Sequence, residues 1–127
     1  MDFKIYAVRV FVRDWERAVR FYTETLGMKT TFADAEMGWA ELGTGEAHLA
    51  IERWPEGESD DEEELVGRYV GVSLTVADVQ KSYETLRERG VEFLAPPSQQ
   101  PWGGVLASFR DPEGNVLTLL GSVSEAD

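Results

Sequence analysis

The chain has 127 residues, of which 43% are hydrophobic, and it carries a formal net charge of −12 and no cysteine. This length and composition predict one compact soluble domain, or two half-domains that share a core. The lack of cysteine excludes disulfides and thiolate sites, and the acidic charge argues strongly against nucleic acid. No apolar run reaches the ~18 residues of a membrane span, and no secretory signal is evident. We therefore expect a cytoplasmic protein with no membrane partner.

The first half of the chain predicts one strand, one helix and three further strands. The strand covers residues 3–13 and has an apolar face at period two, formed by Tyr6, Val8, Val10 and Val12. Asp14 is the expected N-cap and Gly27 the expected C-terminal glycine of the helix. The apolar residues at helical spacing are Ala18, Phe21, Tyr22 and Leu26. The three strands are expected at residues 29–35, 38–42 and 46–53, and Trp15 is expected at the surface or in a dimer contact.

The second half predicts the same order of elements. A strand over residues 68–77 precedes a helix that begins after Asp78 and ends at Gly90. Three strands are expected at residues 91–94, 105–110 and 115–120. Residues 95–104 contain three prolines and two glycines, which predicts a loop.

The two halves are an internal repeat. The segment Val10–Asp14 recurs as Leu74–Asp78, and Gly45–Ile51 recurs as Gly114–Leu120. We therefore predict an α+β fold of two βαβββ modules, at residues 3–54 and 67–121, followed by a tail at 122–127. A four-stranded sheet with one helix buries one face well, so the other face favours a second copy. Between the modules, seven acidic residues within positions 56–64 indicate a solvated linker over 55–66 or a lip that attracts cations.

Two motifs carry a resemblance to a known family. The first runs from Val10 to Gly27 and reads Val-x-Val-x-Asp, followed by a helix that contains Phe-Tyr-x-x-x-Leu-Gly. The second is the segment Phe109–Asn115. Both resemble the vicinal oxygen chelate superfamily, which includes glyoxalase I, extradiol dioxygenases and bleomycin-resistance proteins. The resemblance covers residues 3–121. It implies that the modules form a curled mixed sheet around a concave cleft, with the helices outside, and that the protein is a homodimer.

The enzymes of that superfamily hold a divalent metal with His and Glu side chains. The resemblance places these ligands seven residues before each helix-capping Asp and seven residues after Asp111, and the repeat supplies the fourth position. The four positions hold Ala7, Leu49, Gly71 and Thr118. None offers an imidazole or a carboxylate, which such metal sites require. We therefore expect no metal and no other cofactor, unless a shift in the last strand of the first module brings in His48.

Three other residues are candidates for catalysis: Arg9, Glu41 and His48. By strand alternation, His48 is expected to point away from the cleft, as a structural histidine or as a general base. Arg9 is expected to face the cleft, where it would bind a carboxylate or phosphate or form an ion pair with Glu41.

Further residues are expected to line the cleft and to bind a ligand. The complete set is Arg9, Phe11, Trp39, Leu49, Tyr69, Ser73, Trp102 and Thr118. Without ligating side chains the cleft is expected to be roomy and apolar, with a few polar groups, which suits a flat organic molecule. Trp39, Trp54 and Trp102 are expected either to stack on that ligand or to pack in the core.

Three functions fit these observations. The first is a metal-independent protein that binds an aromatic or cationic small molecule. The second is a lyase, isomerase or dioxygenase with a different active site formed by Arg9, Glu41 and His48. The third is an interaction domain without a small ligand, and the fold alone does not decide among them.

Overall fold

The computed structural model describes residues 1–54 and 65–122 and divides the chain into two compact units. The first unit contains Met1–Arg68 and Pro112–Asn115, and the second contains Tyr69–Asp111 and Val116–Asp127. Residues 55–64 of the expected linker and 123–127 of the expected tail lie outside the described residues. Neither α-helix in the described part is long and apolar enough to cross a membrane.

The first unit has the element order that the sequence predicts. Strand β1 (Ala7–Val12) leads to helix α1 (Trp15–Arg20), which continues as a π-helical segment over Phe21–Thr25. Strands β2 (Lys29–Asp34), β3 (Trp39–Gly43) and β4 (His48–Arg53) follow. They form a four-stranded sheet in the order β1-β4-β3-β2, in which only β1 and β4 run parallel.

Helix α1 begins where the sequence indicates, and the π-helical segment continues it towards the expected end at Gly27. The Asp14 carboxylate accepts a hydrogen bond from the Arg17 backbone amide at 3.2 Å, which satisfies one of the free N–H groups of the first turn. After the π-helical segment, Gly27 takes a φ of +82°, a conformation that glycine adopts without strain.

The core of the first unit includes Trp15, contrary to the expectation of a surface or dimer contact. Its side chain is 5% exposed, and its indole N–H donates to the backbone carbonyl of Ile51 at 2.9 Å. A tryptophan at the N-terminal turn of the helix thus packs back onto β4, because the large ring covers the sheet and the N–H finds a carbonyl there. The expected dimer therefore has no support from Trp15.

The second unit begins with strand β5 (Tyr69–Thr75) and helix α2 (Val79–Glu88), which Asp78 caps through the Lys81 amide. Strands β6 (Glu92–Phe93), β7 (Ser98–Gln99), β8 (Gly104–Arg110) and β9 (Val116–Ser122) follow. The sheet order is β5-β9-β8-β6, with β7 also paired to β8. Strand β7 lies where the prolines predicted only a loop, so this unit is βαββββ rather than βαβββ. Both sheets are mixed, and the α+β class is confirmed.

The Asn115 amide ties three backbone groups of the first unit together. Asn115 is fully buried, and its side-chain oxygen accepts from the amides of Gly67 and Arg68 at 2.8 and 3.2 Å. Its side-chain nitrogen donates to the Phe11 carbonyl at 3.0 Å. Beside this amide, Val66, the last residue of the expected linker, forms a parallel bridge with Phe11.

The Glu113 carboxylate holds the junction between β1 and α1. Its two oxygens accept hydrogen bonds from the backbone amides of Arg13 and Asp14, at 2.8 and 3.1 Å. The Arg17 guanidinium donates to the Pro112 carbonyl at 3.4 Å. The segment Pro112–Asn115 therefore fixes the end of the first strand and the start of the first helix.

We predict that Asn115→Ala lowers the free energy of unfolding by about 2–3 kcal/mol, because it removes three hydrogen bonds and leaves polar backbone groups unpaired. Urea denaturation measures the change. Gln99→Ala, which removes an amide from an exposed position, is the matched control and is expected to change the free energy by less than about 0.5 kcal/mol. Equal effects of the two substitutions would contradict this role for Asn115.

Candidate functional site

The strand register places aromatic and charged side chains on one face of the first sheet. Residues paired across neighbouring strands share a face, and alternate residues along a strand return to it. Three rows result, each read from β2 to β1: Lys29, Gly43, His48 and Ala7; Phe32, Glu41, Ala50 and Arg9; Asp34, Trp39, Glu52 and Phe11. We call this surface the polar face.

The opposite face of the same sheet forms the core. Val10, Val12, Leu49 and Ile51 alternate with residues of the polar face and are at most 2% exposed. The sequence predicted that Leu49 lies on the same face as Arg9 and that His48 lies on the other. The structure shows the reverse: His48 shares the face of Arg9, and Leu49 lies in the core. The internal repeat matches Leu49 to Thr118, whereas the strand register matches Ala50 to Thr118. This shift of one residue moves every side chain of β4 to the other face.

A buried carboxylate stands at the middle of the polar face. Glu41 is 8% exposed. Its Oε2 accepts hydrogen bonds from the Tyr6 hydroxyl at 2.6 Å and from the Trp39 indole N–H at 2.9 Å. Its Oε1 lies 3.9 Å from Nε2 of His48. Two of the three catalytic candidates, Glu41 and His48, are thus neighbours.

The hydrogen bonds of Glu41 favour its ionised form. The Tyr6 hydroxyl is the largest cause that holds the pKa of the Glu41 carboxyl below its usual value, and the Trp39 indole is the next. Burial acts in the opposite direction, and His48 adds a smaller lowering. In return, the hydrogen bond to the carboxylate raises the pKa of the Tyr6 hydroxyl. Glu41 is therefore a fixed negative charge at neutral pH.

Arg9 does not pair with Glu41. Its Nε donates to Glu52 Oε1 at 2.8 Å, and its guanidinium lies 5.1 Å from the centre of the Phe11 ring. The Phe11 ring in turn meets Trp54 edge to face, with 5.4 Å between centroids. Since about half of the Arg9 side chain stays exposed, this cluster of Arg9, Phe11 and Trp54 offers a guanidinium and aromatic surface to a ligand.

The remaining expected residues belong to the second unit. Ser73 pairs with Thr118 in the register, and Thr118 shares a 2.8 Å hydrogen bond with Ser108 on the next strand. Thr118 is only 5% exposed, whereas Tyr69 and Trp102 are largely exposed. The Trp102 ring lies against Gly104, in the space that a Cβ would occupy. Whether these residues bind a ligand stays a prediction.

The residues at the expected metal positions do not fit a metal. Arg9 and Ser73 are equivalent in the repeat, since each lies five residues before a helix-capping Asp. Arg9 pairs with Ala50 and Ser73 pairs with Thr118, so Ala50, and not Leu49, is the fourth expected metal position. Alanine and glycine supply no ligating atom, and a single threonine hydroxyl holds no divalent ion. In residues 1–54 and 65–122, no three His, Asp or Glu side chains are grouped so that they could hold a metal ion.

Tyr6 is the functional candidate that the sequence pattern missed. Alternation assigned it to the apolar face with Val8, yet its hydroxyl reaches Glu41 and its ring lies 5.1 Å from that of His48. Tyr6 precedes the first residue of β1, so strand alternation does not govern its side chain. A tyrosine at a strand boundary, with a carboxylate predicted nearby, is the signal that could have found it.

A family comparison agrees with this architecture. The model of the glyoxalase/bleomycin resistance protein/dioxygenase superfamily matches residues 4–119. The chain belongs to this superfamily. Its fold is therefore that of a superfamily member.

Several superfamily members are similar to the chain over most of its length. A Sphaerobacter thermophilus member superposes with a TM-score of 0.78 and 30% identity, over 96% of this chain and 98% of that one. TnmS3, an antibiotic binding protein from Streptomyces sp. CB03234, superposes with a TM-score of 0.73 and 28% identity, over 96% of this chain and 98% of that one. The bleomycin resistance protein of Klebsiella pneumoniae is 27% identical over 85% of this chain and 84% of its own. A probable lactoylglutathione lyase of Synechocystis sp. is 25% identical over 91% of this chain and 93% of its own.

We predict that Tyr6→Phe raises the pKa of the Glu41 carboxyl towards its usual value, because it removes the strongest donor to the carboxylate. A carbon-detected NMR titration of the Glu41 side chain measures the midpoint. Tyr69→Phe removes a hydroxyl from an exposed tyrosine and is expected to leave the midpoint unchanged. The same midpoint in wild type and Tyr6→Phe would show that the hydrogen bond does not form in solution.

Proposed function

We propose that this superfamily member is a metal-independent small-molecule binding protein that holds an aromatic or cationic organic ligand. The observation that carries the proposal is the composition of the polar face. It combines exposed or half-buried aromatic rings with an ionised carboxylate, while the expected metal positions lack ligating side chains. Aromatic surface with a few placed polar groups is typical of sites for drug-sized molecules.

The similar proteins support the same proposal. TnmS3 is described as an antibiotic binding protein, and the Klebsiella pneumoniae relative is a bleomycin resistance protein. Both are similar to nearly the whole chain, so the likeness is not confined to one motif. By this analogy we place the ligand among organic molecules of natural-product size. The homodimer that the family resemblance implies stays a prediction.

The cluster of Arg9, Phe11 and Trp54 would supply the stacking surface. The Phe11 ring is held between the Arg9 guanidinium and the edge of Trp54. The Arg9–Glu52 ion pair restrains the guanidinium, so less side-chain entropy is lost when a ring stacks on it. Trp39, fixed by its bond to Glu41, would add a second aromatic edge.

We predict that a panel of flat aromatic ligands, with and without a cationic group, contains at least one that changes the tryptophan fluorescence of the protein. The change is expected to persist in the presence of a chelator. Phe11→Leu is expected to lower the affinity for that ligand by about threefold to tenfold, because the stacked ring is lost. Phe3→Leu, at an exposed position outside the polar face, is the control. An unchanged fluorescence across the panel would favour a domain without a small ligand.

A second candidate function is an enzyme, and the 3.9 Å approach of Glu41 and His48 favours it. A carboxylate beside an imidazole can take and return protons in a lyase or isomerase. Arg9, bound to Glu52, would position an anionic substrate rather than take part in proton transfer. We predict that such turnover, on a dicarbonyl, catechol or epoxide, disappears in His48→Ala and survives chelation. Turnover that chelation abolishes, or that His48→Ala retains, would contradict this candidate.

A further inference from the structure

One oxygen of the buried carboxylate remains available to a ligand. Both hydrogen bonds to Glu41, from Tyr6 and from Trp39, go to Oε2. In residues 1–54 and 65–122, no donor lies within hydrogen-bond distance of Oε1, and its nearest partner is His48 Nε2 at 3.9 Å. The Glu41 side chain is 11% exposed. A charged oxygen that is reachable but lacks a close donor is a strong acceptor.

The neighbouring imidazole presents a second acceptor. Nδ1 of His48 lies 3.3 Å from the Tyr6 carbonyl oxygen, and because a carbonyl only accepts, we assign the hydrogen to Nδ1. A neutral imidazole carries one hydrogen, so Nε2 then holds a lone pair. With 29% of the His48 side chain exposed, this lone pair is also reachable.

Two acceptors at this spacing select for a particular kind of donor. They cannot bond each other, but one atom at about 2.8–3.0 Å from each can bond both. That atom must carry at least two hydrogens, which excludes ethers, carbonyls, carboxylates and tertiary ammonium groups. A primary ammonium group satisfies both acceptors and also brings a positive charge to the carboxylate.

We propose that Glu41 Oε1 and His48 Nε2 together form a subsite for the primary ammonium group of an aromatic ligand. This inference rests on the proposed binding function and names the chemical group that the polar face selects. Phe32 shares the row of Glu41, and Trp39 donates to the same carboxylate. The ring of such an amine therefore has aromatic neighbours within the same face.

The other charges of the polar face agree with a cationic ligand. Lys29 lies in the row of His48, and Arg9 in the row of Glu41, where it is paired with Glu52. Asp34 completes the charged residues of the three rows. With His48 neutral, the three rows hold three carboxylates and two cations, so an added ammonium balances the face.

The test compares three probes that share one ring: 2-phenylethylamine, its N,N-dimethyl derivative and 2-phenylethanol. At pH 8 we expect the primary amine to bind about tenfold tighter than either analogue, since each analogue forms one bond fewer or lacks the charge. Calorimetry gives the affinities, and the shift of the Trp39 indole N–H resonance locates the probe.

Two substitutions and one control complete the test. Glu41→Gln keeps an acceptor for Tyr6 and Trp39 but removes the charge, and His48→Phe keeps a ring beside Tyr6 but removes Nε2; each is expected to abolish the tenfold preference. Asp34→Asn is the matched control: it removes a carboxylate from the same face but keeps the oxygen that accepts from the amides of Glu36 and Met37. It is expected to retain the preference.

The outcomes separate this inference from the proposed function. If all three probes bind equally well at Trp39, the ammonium subsite is overturned and binding of aromatic molecules stands. A preference that survives Glu41→Gln or His48→Phe also overturns the subsite. If no probe binds and the aromatic panel is silent as well, both proposals are wrong.

Discussion

The hydrogen bonds of Asn115 and Glu113 set the geometry on which the first sheet depends. Asn115 joins the Phe11 carbonyl to the amides of Gly67 and Arg68, and Glu113 binds the two amides that follow β1. A strand whose penultimate residue and following turn are fixed has little freedom to slide against its neighbour. The register of β1 on β4, and hence the polar face, follows from that constraint.

This explains why the segment Phe109–Asn115 could point to the fold without pointing to a reaction. The polar residues of this segment have a structural role, because the Asn115 amide and the Glu113 carboxylate bind backbone groups rather than a ligand. Glu41 and Tyr6, which carry the buried carboxylate of the candidate site, lie outside both motifs. A motif of this kind identifies a scaffold, and the scaffold supports several functions.

The sequence predicted those parts of the fold that local periodicity controls. Period-two and helical spacing, with Asp14 and Asp78 as caps, were sufficient to predict both helices and most strands. Periodicity failed where tertiary contacts decide: the Trp15 indole found a carbonyl on β4, and residues 95–104 formed the short strand β7 against β8. In the candidate site, the sequence named Glu41 and His48 separately, because their proximity is a long-range property of the pairing between β3 and β4.

The corresponding rows of the two sheets differ in chemistry. Arg9, Ala50 and Glu41 form one row, and Ser73, Thr118 and Ser108 form its counterpart. In an assembly of identical half-length chains, every substitution would appear in both rows, so a carboxylate in one would impose a carboxylate on the other. Joining two copies in one polypeptide removes that symmetry. One row can then become charged while the other keeps its neutral hydroxyl pair, and each half can be altered by mutation without cost to its counterpart.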